Sequence, residues 1–359
     1  MRVVRRVLLV GALLVSAAGS AAADVVLGSW NIARLGHGEL KRFDKLAHVI
    51  SHKDFVAIQE VMDEGAIDRL EHKLEAVTGE SWSSMTSHLI GRGSYREAYS
   101  FVYRDSAVEY VDGAVVFFDT QDVFAREPYS ARFRSKRTGR EWAAANIHVV
   151  YGNRVADRVA EVEALEDYWQ WLQEVYPDTP IVLMGDFNLD ARHAGWDGLR
   201  QLGAKALVDD GATTLSTTDG RYANAYDQIW IEQGSLPVAG SGVIRFPALF
   251  DIDHETARRT VSDHAPVWIG LGNAELSLTP FDGVVMDTSA LAANDPSFHC
   301  VDINLSPRDM LERLPHVGKV RAGEIKAGRP WADLEALVQV RGIAANQVDA
   351  MRSSGMLCE

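Results

Sequence analysis

Cysteine is almost missing from this chain: both copies, Cys300 and Cys358, lie in its last part, so nothing before them can rest on a disulfide framework. In an oxidising compartment, a bridge between the two would close a long loop and tie down the ends of that segment, for roughly 2–4 kcal/mol. Positive charge is also short. The formal net charge is −14, the wrong sign for a protein that holds nucleic acid mainly by counterion release. Any phosphate-directed role must then rely on local cationic groups, backbone N–H groups or a metal ion. Long apolar runs are the third absence. Val7 to Val15 falls short of the roughly 20 residues needed to span a bilayer, which excludes a membrane anchor there. No cysteine follows Ala21-Ala22-Ala23, which argues against a lipoprotein.

What is present at the start reads as an export signal. Three arginines within Met1 to Arg6, a short apolar core, and small residues before Asp24 predict a signal peptide over 1–23 and a secreted or periplasmic product. The chain as a whole has 47% apolar and 24% charged residues, ordinary globular composition, in a length that suits one large domain and a smaller one.

Ile181 to Asp190 organises the large domain. Four apolar residues, Ile181 to Met184, predict a strand buried on both faces, which Gly185 is expected to end. Asp186 and Asn188 then have alternate spacing, and a carboxylate and an amide presented together suit a hard cation and a phosphate oxygen. Gly, Asp and Asn also make ordinary turns, so this stretch alone is ambiguous. Other stretches repeat the arrangement. Val25 to Ile32 reads as a strand carrying Asn31. Phe55 to Ile58 delivers Gln59 and Glu60, and a carboxylate after four apolar residues calls for a compensating cation.

Helices are expected over Phe43 to His52, over Asp63 to Thr78 with Val77 on its buried face, and over Arg154 to Tyr176 with Val155 on its buried stripe. Strands are expected at Ser100 to Arg104, Val108 to Phe118, Arg132 to Phe133 and Trp142 to Val150, the last containing His148. Asp227 opens another apolar run, and Asp263-His264 precede one more. Together Asn31, Glu60, Glu97, His148, Asp186, Asn188, Asp227, Asp263 and His264 suit phosphodiester hydrolysis. One histidine takes a proton from water, another donates to the leaving oxygen, and each needs a carboxylate partner. Spacing does not say which carboxylate serves which histidine.

These words, in order, resemble the motif set of the endonuclease/exonuclease/phosphatase superfamily: Trp30-Asn31-Ile32, Gln59-Glu60, His148, Gly185-Asp186-Phe187-Asn188, Asp227 and Ser262-Asp263-His264-Ala265-Pro266. Ser94-Tyr95-Arg96-Glu97 and Arg126-Glu127-Pro128 are similar to deoxyribonuclease I in particular. The resemblance covers 24–272. It implies an α/β fold, a four-layered sandwich with the site at one edge of paired sheets. Glu60 would be the main Mg²⁺ ligand with Asn31 beside it, Mn²⁺ serving in place of Mg²⁺ and Ca²⁺ left open. His148 would pair with Glu97 and His264 with Asp227, while Asp186, Asn188 and Asp263 would handle metal, water and the scissile phosphate. Tyr95 and Arg126 match positions that touch DNA. The family's further groove arginine, two residues past the metal glutamate, is Met62 here, and its cysteine-paired loop is missing.

Residues 273–298 read as a linker. From His299 to Glu359 there are eight acids and eight bases, far less acidic than the rest. Two helix pairs with tight turns, at Pro315-His316-Val317-Gly318-Lys319 and Arg341-Gly342-Ile343, resemble the helix-hairpin-helix module of bacterial DNA-uptake receptors. The resemblance implies an all-α domain over 299–359 in which Val317, Gly318, Lys319, Arg341 and Gly342 hold DNA phosphate. Each turn has one of the usual two glycines, with His316 and Ala344 in the other places, and Ala344 is expected to strain a positive φ. The expected function is an exported endonuclease acting on double-stranded DNA, with no membrane and no obligate protein partner. Two other readings stay open: a phosphodiesterase of another class, such as a sphingomyelinase, and a DNA-uptake protein without catalysis.

Overall fold

The apolar runs become strands packed on both faces. A computed structural model describes residues 23–37, 40–281, 301–304, 306, 308–329, 331–354 and 356–357. Nearly all of the expected signal peptide and both cysteines fall outside them. One sheet has the order β11-β12-β1-β2-β4-β3, built on β1 (Val26–Leu35), β2 (Phe55–Val61), β3 (Trp82–Thr86), β4 (Ala98–Arg104), β11 (Val238–Val243) and β12 (Val267–Leu271). The other has the order β5-β6-β7-β8-β10-β9, from β5 (Val108–Val116), β6 (Tyr129–Ser135), β7 (Glu141–His148), β8 (Ile181–Asp186), β9 (Ala204–Ala206) and β10 (Asp227–Glu232).

Inner-face residues of both sheets, among them Phe55, Phe101, Phe133, Trp142 and Met184, form one core, which continues to helices α1 (Phe43–Ser51) and α2 (Glu64–Thr78). A second core lies on the outer face of the other sheet, where α3 (Val155–Val175) sets Leu165, Trp169 and Leu172 against Leu183 and Trp230. Helix, sheet, sheet, helix gives the four-layered α/β sandwich. The buried stripes are narrower than the periodicity suggests, because Val77 is 48% exposed and Val155, at the first turn of α3, is 50% exposed.

Gly185 does not end its strand. Strand β8 runs through it to Asp186, and a Cβ at Gly185 would lie 1.9 Å from the carbonyl oxygen of Ile147. The glycine permits a close approach of β7 to β8 rather than a stop, and that approach sets the register of both strand ends. Residues beyond Gly272 also belong to this unit, which runs to Phe281. Phe281 packs edge-on against Phe250, and Thr279 accepts from or donates to the His52 ring. The expected linker therefore starts later than Asn273.

The second unit has its own core, with Leu311, Leu314, Ala322, Ile325, Leu337 and Met351 buried together. Numbered after α4 (Asp197–Gln201), α5 (Phe246–Leu249) and α6 (His254–Thr260) of the first unit, its helices are α7 (Arg308–Leu311), α8 (Lys319–Ala327) and α9 (Ala345–Ser353). The first member of the second expected helix pair is a 3₁₀ turn, Glu335–Gln339. The two turns match in geometry: His316 (φ +65°) and Gly342 (φ +83°) take the left-handed conformation. Gly318 and Ala344 then cap α8 and α9 with extended backbone, at φ −89° and −102°. Ala344 is unstrained, contrary to expectation, and the strain lies at His316. Arg321 joins the turns, donating to the His316 carbonyl (2.5 Å) and lying against Gly342.

Candidate active site

Strand register assembles half of the site. Parallel pairing of β7 with β8 sets His148 beside Asp186, and antiparallel pairing of β10 with β8 sets Asp227 on its other side. Three polar side chains thus stand abreast at one end of three neighbouring strands. The facing sheet supplies the rest from Asn31 on β1, Glu60 on β2, Glu97 just ahead of β4 and His264 just ahead of β12. A buried polar link spans the two sheets beneath them, with Gln59 Nε2 donating to Asn146 Oδ1 (2.7 Å) and Asn146 Nδ2 to the Ile58 carbonyl (3.0 Å).

Each imidazole is held at Nδ1 by its own carboxylate. His148 Nδ1 lies 2.8 Å from Glu97 Oε1, and His264 Nδ1 lies 2.8 Å from Asp227 Oδ2. Both Nε2 atoms point at Asp186 Oδ2, each 3.5 Å away. Further bonds fix the pairs in place. The His148 amide donates to Tyr99 Oη (3.0 Å), while Ser262 Oγ donates to the Asn31 carbonyl (2.6 Å) and accepts the His264 amide (3.0 Å).

Burial works against charge on His148, but the Glu97 carboxylate, with Asp186 behind it, outweighs burial and raises the imidazole above its ordinary value. His264 is likewise penalised by burial, yet Asp227 and Asp186 raise it well above that value. Burial would raise Asp186, but the His264 and His148 rings hold it low. Burial also raises Asp227, against the opposing pull of the His264 ring beside it.

Glu60 lies at a bulge with φ +59°, close to Ala33 (φ +35°) and Arg34 (φ +58°), a run of left-handed residues in which a non-glycine is costly. Its Oε2 accepts the Arg34 amide (3.0 Å), and its Oε1 accepts from Asn31 Nδ2 (3.0 Å). No basic side chain among the described residues makes an ion pair with it. A carboxylate held at a strained position with lone pairs to spare and no cationic partner fits a hard divalent ion. Asn31 is oriented differently from the expected ligand. Its Oδ1 accepts the Ala33 amide (2.9 Å), so its NH₂ faces inward and bonds both Glu60 and Asp186 Oδ2 (3.0 Å). As placed, it aligns two carboxylates. Asp186, Asp227 and His264 also lie close enough together to hold a metal ion, but there Asp227 Oδ2 and His264 Nδ1 are bonded to each other.

Asn188 (φ +49°) closes the turn after β8: its amide donates to Asp186 Oδ1 (3.0 Å) and its Nδ2 to the Val149 carbonyl (2.8 Å). Asp263 lies at the rim of the cluster, 3.6 Å from Arg258 and with 37% of its side chain exposed, and its charge adds to the pull on the His264 proton. Arg126 sits behind His148, donating to its carbonyl (2.8 Å) and lying 3.6 Å from Glu97. Tyr95, 40% exposed, lies over Arg126. In the second unit Val317 is buried in the small core, Gly318 caps α8 and Lys319 opens it, while Arg341 and Gly342 are exposed at the second turn.

Some supporting residues carry no motif. Lys41 Nζ donates to the Ile32 and Val261 carbonyls (2.9 and 2.6 Å), tying β1 to the segment before His264, and burial pushes it down to about 8 against the pull of Asp263 and Glu60. Glu161, on α3, accepts the Ala125 and Val150 amides (2.8 and 3.0 Å) and so fixes the loops that carry Arg126 and follow His148. A carboxylate on the buried side of α3 is the signal that could have marked it.

Residues 28–264 match the model of the Endonuclease/Exonuclease/phosphatase family. The chain belongs to this family. Within it the chain is deoxyribonuclease I-like. It is 44% identical to a Thioalkalivibrio sp. protein named Deoxyribonuclease, over 96% of each chain. It is 30% identical to Homo sapiens Deoxyribonuclease-1, over 73% of this chain and 98% of the human one. Thus the Thioalkalivibrio relative matches this chain almost end to end, tail included, whereas the human relative is spanned by about three quarters of it. Among solved structures, a Bacteroides thetaiotaomicron mannosyl-6-phosphatase superposes with a TM-score of 0.53 at 17% identity, covering 69% of this chain and all of its own. That likeness shows the family's fold.

Proposed function

We propose that this chain is an exported endonuclease that hydrolyses DNA phosphodiester bonds with little sequence preference and depends on a divalent cation, Mg²⁺ or Mn²⁺. The observation that carries the reading is the pair of carboxylate-held imidazoles whose Nε2 atoms converge on Asp186 Oδ2. Relatives named deoxyribonucleases support DNA as the substrate. Export rests on the amino-terminal sequence pattern alone.

Pinning Nδ1 to a carboxylate leaves Nε2 as the working atom of each ring. A neutral imidazole accepts the proton of the attacking water at Nε2, and a protonated one donates from Nε2 to the leaving oxygen. Of the two, His264 holds its proton more firmly, and a rise at both positions keeps a proton available near neutrality. Asp186 stabilises whichever ring is charged and orients both. Glu60, aligned by Asn31, would hold the cation. When bound, that ion supplies positive charge to a non-bridging phosphate oxygen. Arg126 and Tyr95 would contact the strand beside the cleavage point, and Asp263 would act from the rim. The second unit would hold DNA phosphate through backbone N–H groups at the starts of α8 and α9.

A lipid phosphodiesterase is the second reading, and one observation speaks for it: Phe118 at the end of β5 is 83% exposed. One assay separates the readings. Supercoiled plasmid, RNA and sphingomyelin are each incubated with the protein plus Mg²⁺ or a chelator. Cleavage of plasmid that chelator stops supports the proposal. Turnover of sphingomyelin alone, or retention of DNA on a filter with no cutting, overturns it.

A further inference from the structure

Besides Tyr95 and Arg126, a second tyrosine–arginine cluster is joined to the site through Asn188 and Tyr226. Arg158, in the first turn of α3, is 8% exposed, yet none of its partners is a carboxylate. Its Nε donates to the Tyr151 carbonyl (2.7 Å), and its Nη1 to the Asn188 carbonyl (3.3 Å) and Tyr226 Oη (3.1 Å). Among the described residues its Nη2 donates to nothing, and no acid makes an ion pair with it. A buried cation compensated only by neutral oxygens is costly, so an anion that reaches it from outside is bound with a large electrostatic gain.

The guanidinium also lies under an aromatic ring, 4.0 Å from the Tyr151 centroid. Tyr151 is 60% exposed, which leaves its outer side open. All three residues are tied to the catalytic cluster. Tyr151 follows His148 by one short loop, Tyr226 directly precedes Asp227, and the Asn188 whose carbonyl Arg158 binds also donates its amide to Asp186. An open aromatic face over an uncompensated cation, joined to the residues that carry Asp186 and Asp227, suits a sugar–phosphate unit: the ring takes the sugar or base, and the guanidinium field takes the phosphate.

We infer that Tyr151, Arg158 and Tyr226 form a subsite for a nucleotide unit next to the scissile phosphate. This rests on the reading of the protein as a DNA-cutting enzyme. The test compares kcat/KM on duplex DNA with that on bis(p-nitrophenyl) phosphate, a diester that has no neighbouring nucleotide. The ratio of the two should fall about tenfold in Tyr151→Ala, the effect of losing one aromatic contact of ordinary strength, and should be kept in Tyr151→Phe. In chelator, Arg158→Gln should reduce the slope of log affinity for DNA against log salt by about one, as expected for one lost phosphate contact. The Tyr151 comparison decides alone if that variant does not fold. Wild-type protein that hydrolyses the small diester but no DNA overturns the proposed function before any variant is compared. DNA cutting with an unchanged ratio in Tyr151→Ala overturns the subsite alone.

Discussion

Replacing Glu97 with glutamine removes one negative charge and almost nothing else. The carboxylate is fully buried, with His148 Nδ1 at 2.8 Å and Arg126 Nε at 3.6 Å, and those two cations hold it below the usual range even though burial alone would raise it. Without it both cations stay buried and lose the carboxylate they share, with Asp186 still 3.5 Å from His148, a loss of about 3–5 kcal/mol for a broken interior pair. The amide carbonyl still accepts from Nδ1, so about 3 kcal/mol is expected. For a domain of this size that lowers Tm by about 6–12 °C. The sign of the pH dependence follows from the two shifts. Glu97 is depressed, so its contribution is present above about pH 4.3 and is lost as pH falls through its folded value. His148 is raised, so its share is complete below about pH 6.5 and is lost as pH rises through its folded value. The gap in Tm between wild type and Glu97→Gln should therefore be widest between about pH 4.3 and 6.5 and narrower on both sides. Catalysis should fall about 10²–10⁴-fold. The limb of the pH–kcat/KM profile controlled by His148 should also move to lower pH, since burial then dominates that ring. Differential scanning calorimetry and plasmid nicking across pH measure both. Melting within about 2 °C of wild type, together with both limbs in place, would refute the account of His148 as a ring whose proton is set by Glu97.

Other consequences are more direct. His148→Ala and His264→Ala should each reduce plasmid nicking by about 10³-fold or more with circular dichroism unchanged, and a variant that still cuts removes its ring from the mechanism. Glu60→Gln should raise the Mg²⁺ concentration needed for half-maximal nicking at least tenfold and abolish the Mg²⁺-dependent rise in Tm of the wild type; an unaltered titration places the ion elsewhere. Gly185→Ala should destabilise the fold by about 3 kcal/mol or more, because its Cβ falls on the Ile147 carbonyl and β7 must separate from β8; a Tm like wild type would show that the strands can part freely. Ending the chain at Phe281 should weaken duplex binding in chelator while leaving kcat at saturating DNA within about threefold, and unchanged affinity would demote the second unit to packing.

Strand ends were legible in the sequence because two constraints act there together. A run buried on both faces must be apolar, and the first polar side chain after it has to be compensated, so Glu60, His148, Asp186 and Asp227 stand out against their neighbours. Pairing partners were not legible. That His148 stands level with Asp186 depends on how closely β7 approaches β8, and that depends on Gly185, which in sequence looks like the end of a strand. Backbone strain was equally hidden. Nothing about Ala33, Arg34 or Glu60 as residue types predicts positive φ, yet this run is what turns the Arg34 amide onto the Glu60 carboxylate. The tail shows the reverse error: alanine is a poor left-handed residue, so Ala344 looked strained, but the left-handed positions are His316 and Gly342, each two residues ahead of the helix cap. Arg158 went unnoticed for a related reason. A lone arginine on a polar helix start reads as solvated charge, and its burial becomes visible only once Tyr151, Asn188 and Tyr226 arrive from three other parts of the chain. Local chemistry thus marks which residues are costly to bury, while the tertiary fold decides what compensates them. At Glu60 and Arg158, an acid and a base beside the site that make no ion pair among the described residues, the compensation expected is a cation and a nucleic-acid phosphate.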